Sequence, residues 1–535
     1  MRVSTGWMVG LILLGGVLGG CSRSAPVSTT QSAPPTAFAC YGEAESGCDL
    51  RIYQVMVEAF ADGDPRRGYG TGYGPSRHQG DLAGIRQQLD YIASLGVNAI
   101  WLTPVFDSCA GQSGDDRLDA TGYFACNYFH VDPRFGTNEE LKSLIDAAHA
   151  RGLYVILDGV FGHVNRVGIT APSPQGRRPA LTSGGAGYPG QLADYRHPDT
   201  LAYFQEVARY WIEHYGIDGW RLDQAYQLDV ASLRAIRMTV EQASRERLAR
   251  GESWGTLGYL VGEVWNDAPT IARTAYGPAQ APALLSAFDF PLRYGLVQAL
   301  AVEESGKGGQ GADVLDANWN RRENYPPHAM PNLMLGNHDL VRFGDLLQRG
   351  HFNPADYWLR HQAAFTFLAA HSGPITLYYG EEWGDEVPGY AGQIGQGCVE
   401  RGLCDDHVAR SDGKWPGNFT PAAEQNALRR YLTHLMQLRT EHPALWRGRS
   451  QRLVAQHGLY GVLKTADREQ ILYLLNVSTE QQRYQLPPAL ANVRHWRDLL
   501  SGEQITVPAA AASIPVSALS GRLLLIEADE AAGQP

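Results

Sequence analysis

The chain has 535 residues, with 45 basic against 56 acidic side chains and a formal net charge of -11. It has no basic excess to neutralise a phosphate backbone, so no nucleic-acid partner is expected. Hydrophobic residues make up 44%, enough for at least one large core, while the 12 Trp and 26 Tyr suit sugar stacking and core filling equally and select no ligand.

At the N-terminus, Arg2 precedes an apolar stretch over residues 7–20, and then comes Cys21. The stretch is short for a bilayer span, and residues 1–20 read as an export signal. Leu18-Gly19-Gly20-Cys21 resembles the lipobox of bacterial lipoproteins. That resemblance implies cleavage before Cys21, acylation of its thiol and anchoring in the cell envelope, with Ser22 pointing to the outer membrane. Residues 21–48 read as a tether, rich in Ser, Thr, Pro and Ala up to Phe38. The other six cysteines form three local couples, Cys40 with Cys48, Cys109 with Cys126 and Cys398 with Cys404. Export permits disulfides, although spacing alone does not decide the pairing.

From Arg51 onward, short β-branched or aromatic runs alternate with stretches of helical apolar spacing. The strands expected are 52–58, 98–103, 153–158, 219–223, 259–263, 287–290, 332–336 and 375–379, with helices such as 81–95 and 138–151 stopping at Gly96 and Gly152. Eight such units predict an α/β fold, a (β/α)8 barrel over residues 49–445. The connection between the third and fourth strands is longer than a crossover needs and predicts an inserted domain at about residues 164–205. After residue 446 the pattern turns to short strands, 461–464, 471–476 and 522–526, which predict a C-terminal antiparallel β-sandwich over 446–530.

Side chains at the C-terminal strand ends of such a barrel converge on one face. The third strand ends Asp158-Gly159-Val160-Phe161-Gly162-His163, the fourth Gly219-Trp220-Arg221-Leu222-Asp223, the fifth Gly262-Glu263-Val264-Trp265 and the seventh Gly336-Asn337-His338-Asp339. In this order and spacing the four segments resemble the four short sequence regions of the α-amylase family, glycoside hydrolase family 13. Ile52-Tyr53-Gln54-Val55, Gly122-Tyr123, Leu192-Ala193-Asp194-Tyr195 and Tyr378-Tyr379-Gly380-Glu381-Glu382 support the match.

The resemblance implies a retaining glycosidase, which needs one ionised carboxylate to attack the anomeric carbon and one protonated carboxyl to release the leaving oxygen. By position Asp223 is the nucleophile, kept ionised by Arg221, and Glu263 is the acid/base, its pKa raised by neighbouring carboxylates and by Val264 and Trp265. Asp339 favours the distorted transition state. His163 and His338 contact sugar hydroxyls, Tyr123 is the platform under the sugar, and Asp158 braces Arg221. Arg342 either touches substrate or pairs with a carboxylate.

The resemblance also brings a structural calcium, but the Asn that usually precedes the histidine of the first region is Gly162 here. Asp194 and Asn165 remain as candidate ligands, and the ion is left open. Where many relatives have Lys-His after the nucleophile, this chain reads Gln224-Ala225-Tyr226-Gln227, closer to the neopullulanase and maltogenic branch. The expected activity is hydrolysis of α-1,4 bonds in starch, maltodextrins or maltooligosaccharides by a monomer without organic cofactor. The alternatives are a transglycosylase or isomerase of the trehalose-synthase kind and a non-catalytic glucan-binding lipoprotein.

Overall fold

The computed structural model describes residues 39–41, 46–185, 187–321, 324–390, 403–507 and 513–527. The stretch read as an export signal, Cys21, the part of the expected tether before residue 39 and Cys398 lie outside the described residues. Eight strands close a barrel: β1 (Arg51–Val55), β2 (Ala99–Leu102), β3 (Tyr154–Gly159), β4 (Gly219–Leu222), β5 (Tyr259–Gly262), β6 (Ser286–Phe288), β7 (Met330–Met334) and β8 (Ile375–Tyr378). Every neighbouring pair is parallel, with β1 beside both β2 and β8.

The period of two along these strands divides their side chains. Ile52, Trp101, Ile156, Tyr259, Val261, Phe288, Met330 and Met334 fill the barrel interior as one buried cluster. Tyr53, Val55, Ile100, Leu102, Val155 and Leu157 join the larger core beneath the helices. Each such large apolar side chain contributes about 1.5–3 kcal/mol by leaving water.

The crossover helices begin where the sequence supplies caps. Thr137 accepts from Glu140 N at the start of Asn138–His149, and Pro198 opens Pro198–Tyr215, which stops at Gly216 in the left-handed region with φ 78°. The helix expected over 81–95 is instead two, Leu82–Gln87 and Leu89–Ala93, because Gln88 leaves helical geometry at ψ 4°. The first strand also stops sooner than expected, since Val57–Phe60 forms a helical turn.

The excursion after β3 is a three-stranded sheet of His163–Asn165, Leu181–Ser183 and Gly190–Ala193. It ends before residue 205, because the crossover helix has already begun at Pro198. A second rim structure lies between β2 and the helix Asn138–His149, where Phe106–Asp107 pairs with Asn127–Val131 and the Cys109–Cys126 disulfide ties the connection. Cys40 and Cys48 are also bonded. Beyond Pro443–Arg447, six antiparallel strands from Arg449 to Ile526 form one sheet. Gln482–Gln485 pairs with Ser513–Val516 as a second, smaller layer, and Leu472, Trp496, Ile514 and Leu524 pack in one buried cluster with it.

Candidate active site

Asp158 lies within β3, whereas Asp223 and Glu263 are the first residues beyond β4 and β5. Their backbones remain tied to the adjoining strand, Asp223 N donating to Gly159 O at 3.1 Å and Glu263 N to Leu222 O at 2.9 Å. The carboxylates therefore sit on rigid strand ends rather than on free loops.

Arg221, fully buried, joins three of them. Its Nη1 donates to Asp158 Oδ1 at 2.8 Å and Oδ2 at 3.0 Å and to Asp223 Oδ1 at 2.8 Å. Its Nη2 lies 2.8 Å from Glu263 Oε2, an ion pair whose angle is too poor for a hydrogen bond. Asp158 Oδ2 also accepts from the Tyr123 hydroxyl at 2.8 Å and from Trp101 Nε1 at 3.1 Å. Among the described residues Asp223 Oδ2 is buried with no hydrogen-bond partner, and Glu263 Oε2 accepts from Gln224 N at 3.1 Å.

The opposite wall is built on His338 and Asp339. Gln54, from β1, meets His338 Nδ1 at 2.7 Å, and the His338 ring stacks on Tyr123 with centroids 5.2 Å apart. Asp339 Oδ2 is 3.2 Å from His338 Nε2, while its Oδ1 accepts from Arg410 Nη2 at 2.7 Å. His163 enters through another chain of contacts: its Nδ1 meets Gln227 Oε1 at 2.9 Å, and Gln227 Nε2 donates to Gln224 Oε1 at 3.0 Å.

Burial pushes both Asp223 and Glu263 up to about 7, with Arg221 opposing the shift and Asp339 adding repulsion at each. Burial likewise lifts Asp158 to about 6 against the pull of Arg221. Asp339 goes the other way: burial works against its charge, but His338, Arg410 and Arg221 together hold it below the ordinary range. Burial lowers His338 to about 3 and His163 to about 4, so both rings are neutral at pH 7. Sequence reading expects Asp223 and Glu263 to be pushed apart. The free site raises both, because desolvation acts on each and one guanidinium serves three carboxyl groups.

Three expectations need correction, those for Trp265, Asp194 and Asn165, and Arg342 takes one of its two alternatives. It pairs with a carboxylate, that of Asp385, and among the described residues it makes no ion pair with Asp158, Asp223, Glu263 or Asp339. It is buried, donates to Tyr379 O at 2.8 Å and to Ala409 O and Ser411 Oγ at 2.9 Å, and stands 3.9 Å from Asp385, so its cation holds the loops after β8 together. Trp265 is 44% exposed and stacks on Phe290, so it does not desolvate Glu263. Asp194 makes a two-pronged pair with Arg196, both contacts at 2.8 Å. Asn165 donates to Ser108 O, Asp119 Oδ1 and Phe124 O, and its own Oδ1 accepts from Val167 N. Among the described residues the side-chain oxygens of Asp194 and Asn165 thus already accept from protein donors, and this donor set does not fit a calcium ion.

Arg410 and Gln54 belong to the site although sequence motifs did not single them out as functional. Gln54 could have been found as a polar residue set between Tyr53 and Val55 on the first strand, whereas Arg410 sits in a long segment after β8 that carries no periodic signal.

With this geometry in place, residues 54–168 and 191–412 match the family described as alpha amylase, catalytic domain. The chain belongs to the α-amylase family. Members and relatives resemble it along most of its length. It is 27% identical over 495 residues to neopullulanase 2 of Thermoactinomyces vulgaris, covering 85% of this chain and 74% of that protein. It is 27% identical over 502 residues to a cyclomaltodextrinase of Geobacillus thermopakistaniensis, covering 86% and 74%. Among solved structures, AmyP in complex with maltose superposes with a TM-score of 0.84 at 49% identity, covering 91% of this chain and 98% of that one. As a member of the α-amylase family this chain is an amylase-type glycosidase, with the closed barrel and C-terminal antiparallel domain of that family.

Proposed function

We propose that this glycosidase hydrolyses α-1,4 bonds in maltodextrins and maltooligosaccharides with retention, through a glycosyl ester on Asp223. The observation that carries the reading is the contact of one buried guanidinium, Arg221, with Asp158, Asp223 and Glu263, each at 2.8 Å. Three carboxyl groups facing one cation retain a proton near neutral pH. Asp223 has the well-formed hydrogen bond from Arg221 and Glu263 the poorly angled contact, so the proton resides on Glu263. Asp223 Oδ2 attacks the anomeric carbon while Glu263 passes its proton to the departing glycosidic oxygen. Water then attacks the same carbon as Glu263 takes a proton from it, the ester bond breaks, and Asp223 is regenerated.

Asp339, held ionised, stabilises the positive charge that develops on the ring. Tyr123 lies under the sugar, and the neutral rings of His163 and His338 exchange hydrogen bonds with its hydroxyls. Arg221 and Asp158 act as the brace. The names of the relatives, neopullulanase and cyclomaltodextrinase, and the maltose and maltotriose complexes of AmyP support an α-glucan substrate. Products from maltoheptaose, starch, pullulan and trehalose test the proposal. Reducing ends should accumulate from the α-1,4 glucans, whereas constant reducing ends with redistributed lengths would favour transglycosylation and reject hydrolysis.

The export signal and Cys21 support a lipid-anchored protein of the cell envelope. Palmitate label should enter the full-length chain and be lost in Cys21→Ala; label that persists would reject the anchor.

A further inference from the structure

Gly162 and Gln227 come from different connections, after β3 and after β4, yet they occupy one space. A Cβ built on Gly162 would stand 2.0 Å from Gln227 Oε1 and 2.6 Å from its Cβ, so any side chain at 162 excludes the observed Gln227. From that space Gln227 reaches His163 Nδ1 at 2.9 Å through Oε1 and Gln224 Oε1 at 3.0 Å through Nε2. Gln224 in turn accepts from the Tyr226 hydroxyl at 2.8 Å and donates its backbone N–H to Glu263. Its backbone is in the left-handed region at φ 39°, a conformation that a non-glycine residue holds only where its surroundings impose it.

We propose that Gln227 is a positioning residue: lodged in the space left by Gly162, it fixes the tautomer and rotation of His163 and locks the Asp223–Gln227 turn against Glu263, so that this wall of the site is held by an amide and not by a metal ion. An amide oxygen only accepts, so it selects the ring form with hydrogen on Nδ1. The donor set around Asp194 and Asn165, already committed to protein partners, agrees with a brace that needs no ion.

The inference rests on the proposed hydroxyl-binding role of His163, and the test separates the two. Steady-state kinetics on maltotriose compare wild type, Gln227→Ala, Gln227→Glu and His163→Ala, each with a thermal melt and with and without EDTA. The expected result is a 10- to 100-fold fall in kcat for Gln227→Ala with KM within about threefold, and recovery to within tenfold of wild type in Gln227→Glu, which keeps the acceptor. EDTA should leave both activity and melting temperature of the wild type unchanged. Full activity in Gln227→Ala beside a crippled His163→Ala would overturn the positioning role while leaving the site reading intact. Full activity in His163→Ala would overturn the site reading itself. A melting temperature lowered by EDTA and restored by calcium would overturn the metal-free brace.

Discussion

Replacing Glu263 by Gln should make the protein more stable at alkaline pH and leave it unchanged at acid pH. Burial lifts this carboxyl from 4.5 to about 7, Arg221 notwithstanding. Between those values the folded protein holds a proton that the unfolded chain has released, so wild-type stability falls as pH rises through that window. At about 1.4 kcal/mol per pH unit the interval amounts to roughly 3 kcal/mol, fully expressed above pH 7 and absent below about 4.5. Glutamine keeps the shape and an acceptor for Arg221 but cannot ionise, so it escapes the penalty. Urea titrations followed by tryptophan fluorescence at pH 4.5 and pH 8 measure it. Glu263→Gln should gain about 2–3 kcal/mol more at pH 8 than at pH 4.5. A gap that is the same at both values, or a variant less stable at pH 8, would refute the claim that ionised Glu263 is a buried and under-compensated charge.

The same electrostatics set the pH dependence of turnover. Because Glu263 must hold its proton and Asp223 must lack one, kcat/KM on maltotriose should be bell-shaped, with its alkaline limb falling near pH 7; activity that still rises through pH 8 would contradict the assignment. Removing the partner of Asp339 in Arg410→Ala should lower kcat/KM by roughly 10- to 100-fold, the range for a lost charged hydrogen bond, with partial recovery in Arg410→Lys. His361 is buried among Phe343, Tyr357 and Phe365 with neither ring nitrogen bonded among the described residues, and burial lowers it to about 3. His361→Phe should therefore stabilise the fold by about 1–2 kcal/mol at pH 7.5. Its advantage should grow as pH falls below 6.5, where only the unfolded histidine gains a proton; denaturant titrations at pH 7.5 and 5.5 measure both.

The strand ends were legible because an apolar run ending in a carboxylate is a local pattern, and the barrel turns that pattern into a shared face. Asp158, Arg221, Asp223, Glu263, His338 and Asp339 meet as expected for that reason. Long side chains were less legible. Arg342 stands three residues after Asp339, and the spacing does not distinguish a guanidinium directed to the cleft from one directed behind β8 to Tyr379 O. Exposure was misjudged at Trp265, whose neighbour Val264 is buried while the indole turns outward onto Phe290. Arg410 and the Gly162–Gln227 packing depend on contacts between distant connections, for which a single sequence offers no periodicity to read. The break at Gln88 follows the same rule, since nothing in its composition announces a stop.

Retention by this glycosidase depends on Asp223 carrying the glycosyl ester. Incubation with a 5-fluoro-α-glucosyl fluoride, which slows release of the ester more than its formation, followed by proteolysis and mass spectrometry, tests it directly. The label is predicted on the peptide containing Asp223 and absent in Asp223→Asn. Label on Glu263 or Asp339, or hydrolysis at the wild-type rate by Asp223→Asn, would exclude Asp223 as the nucleophile.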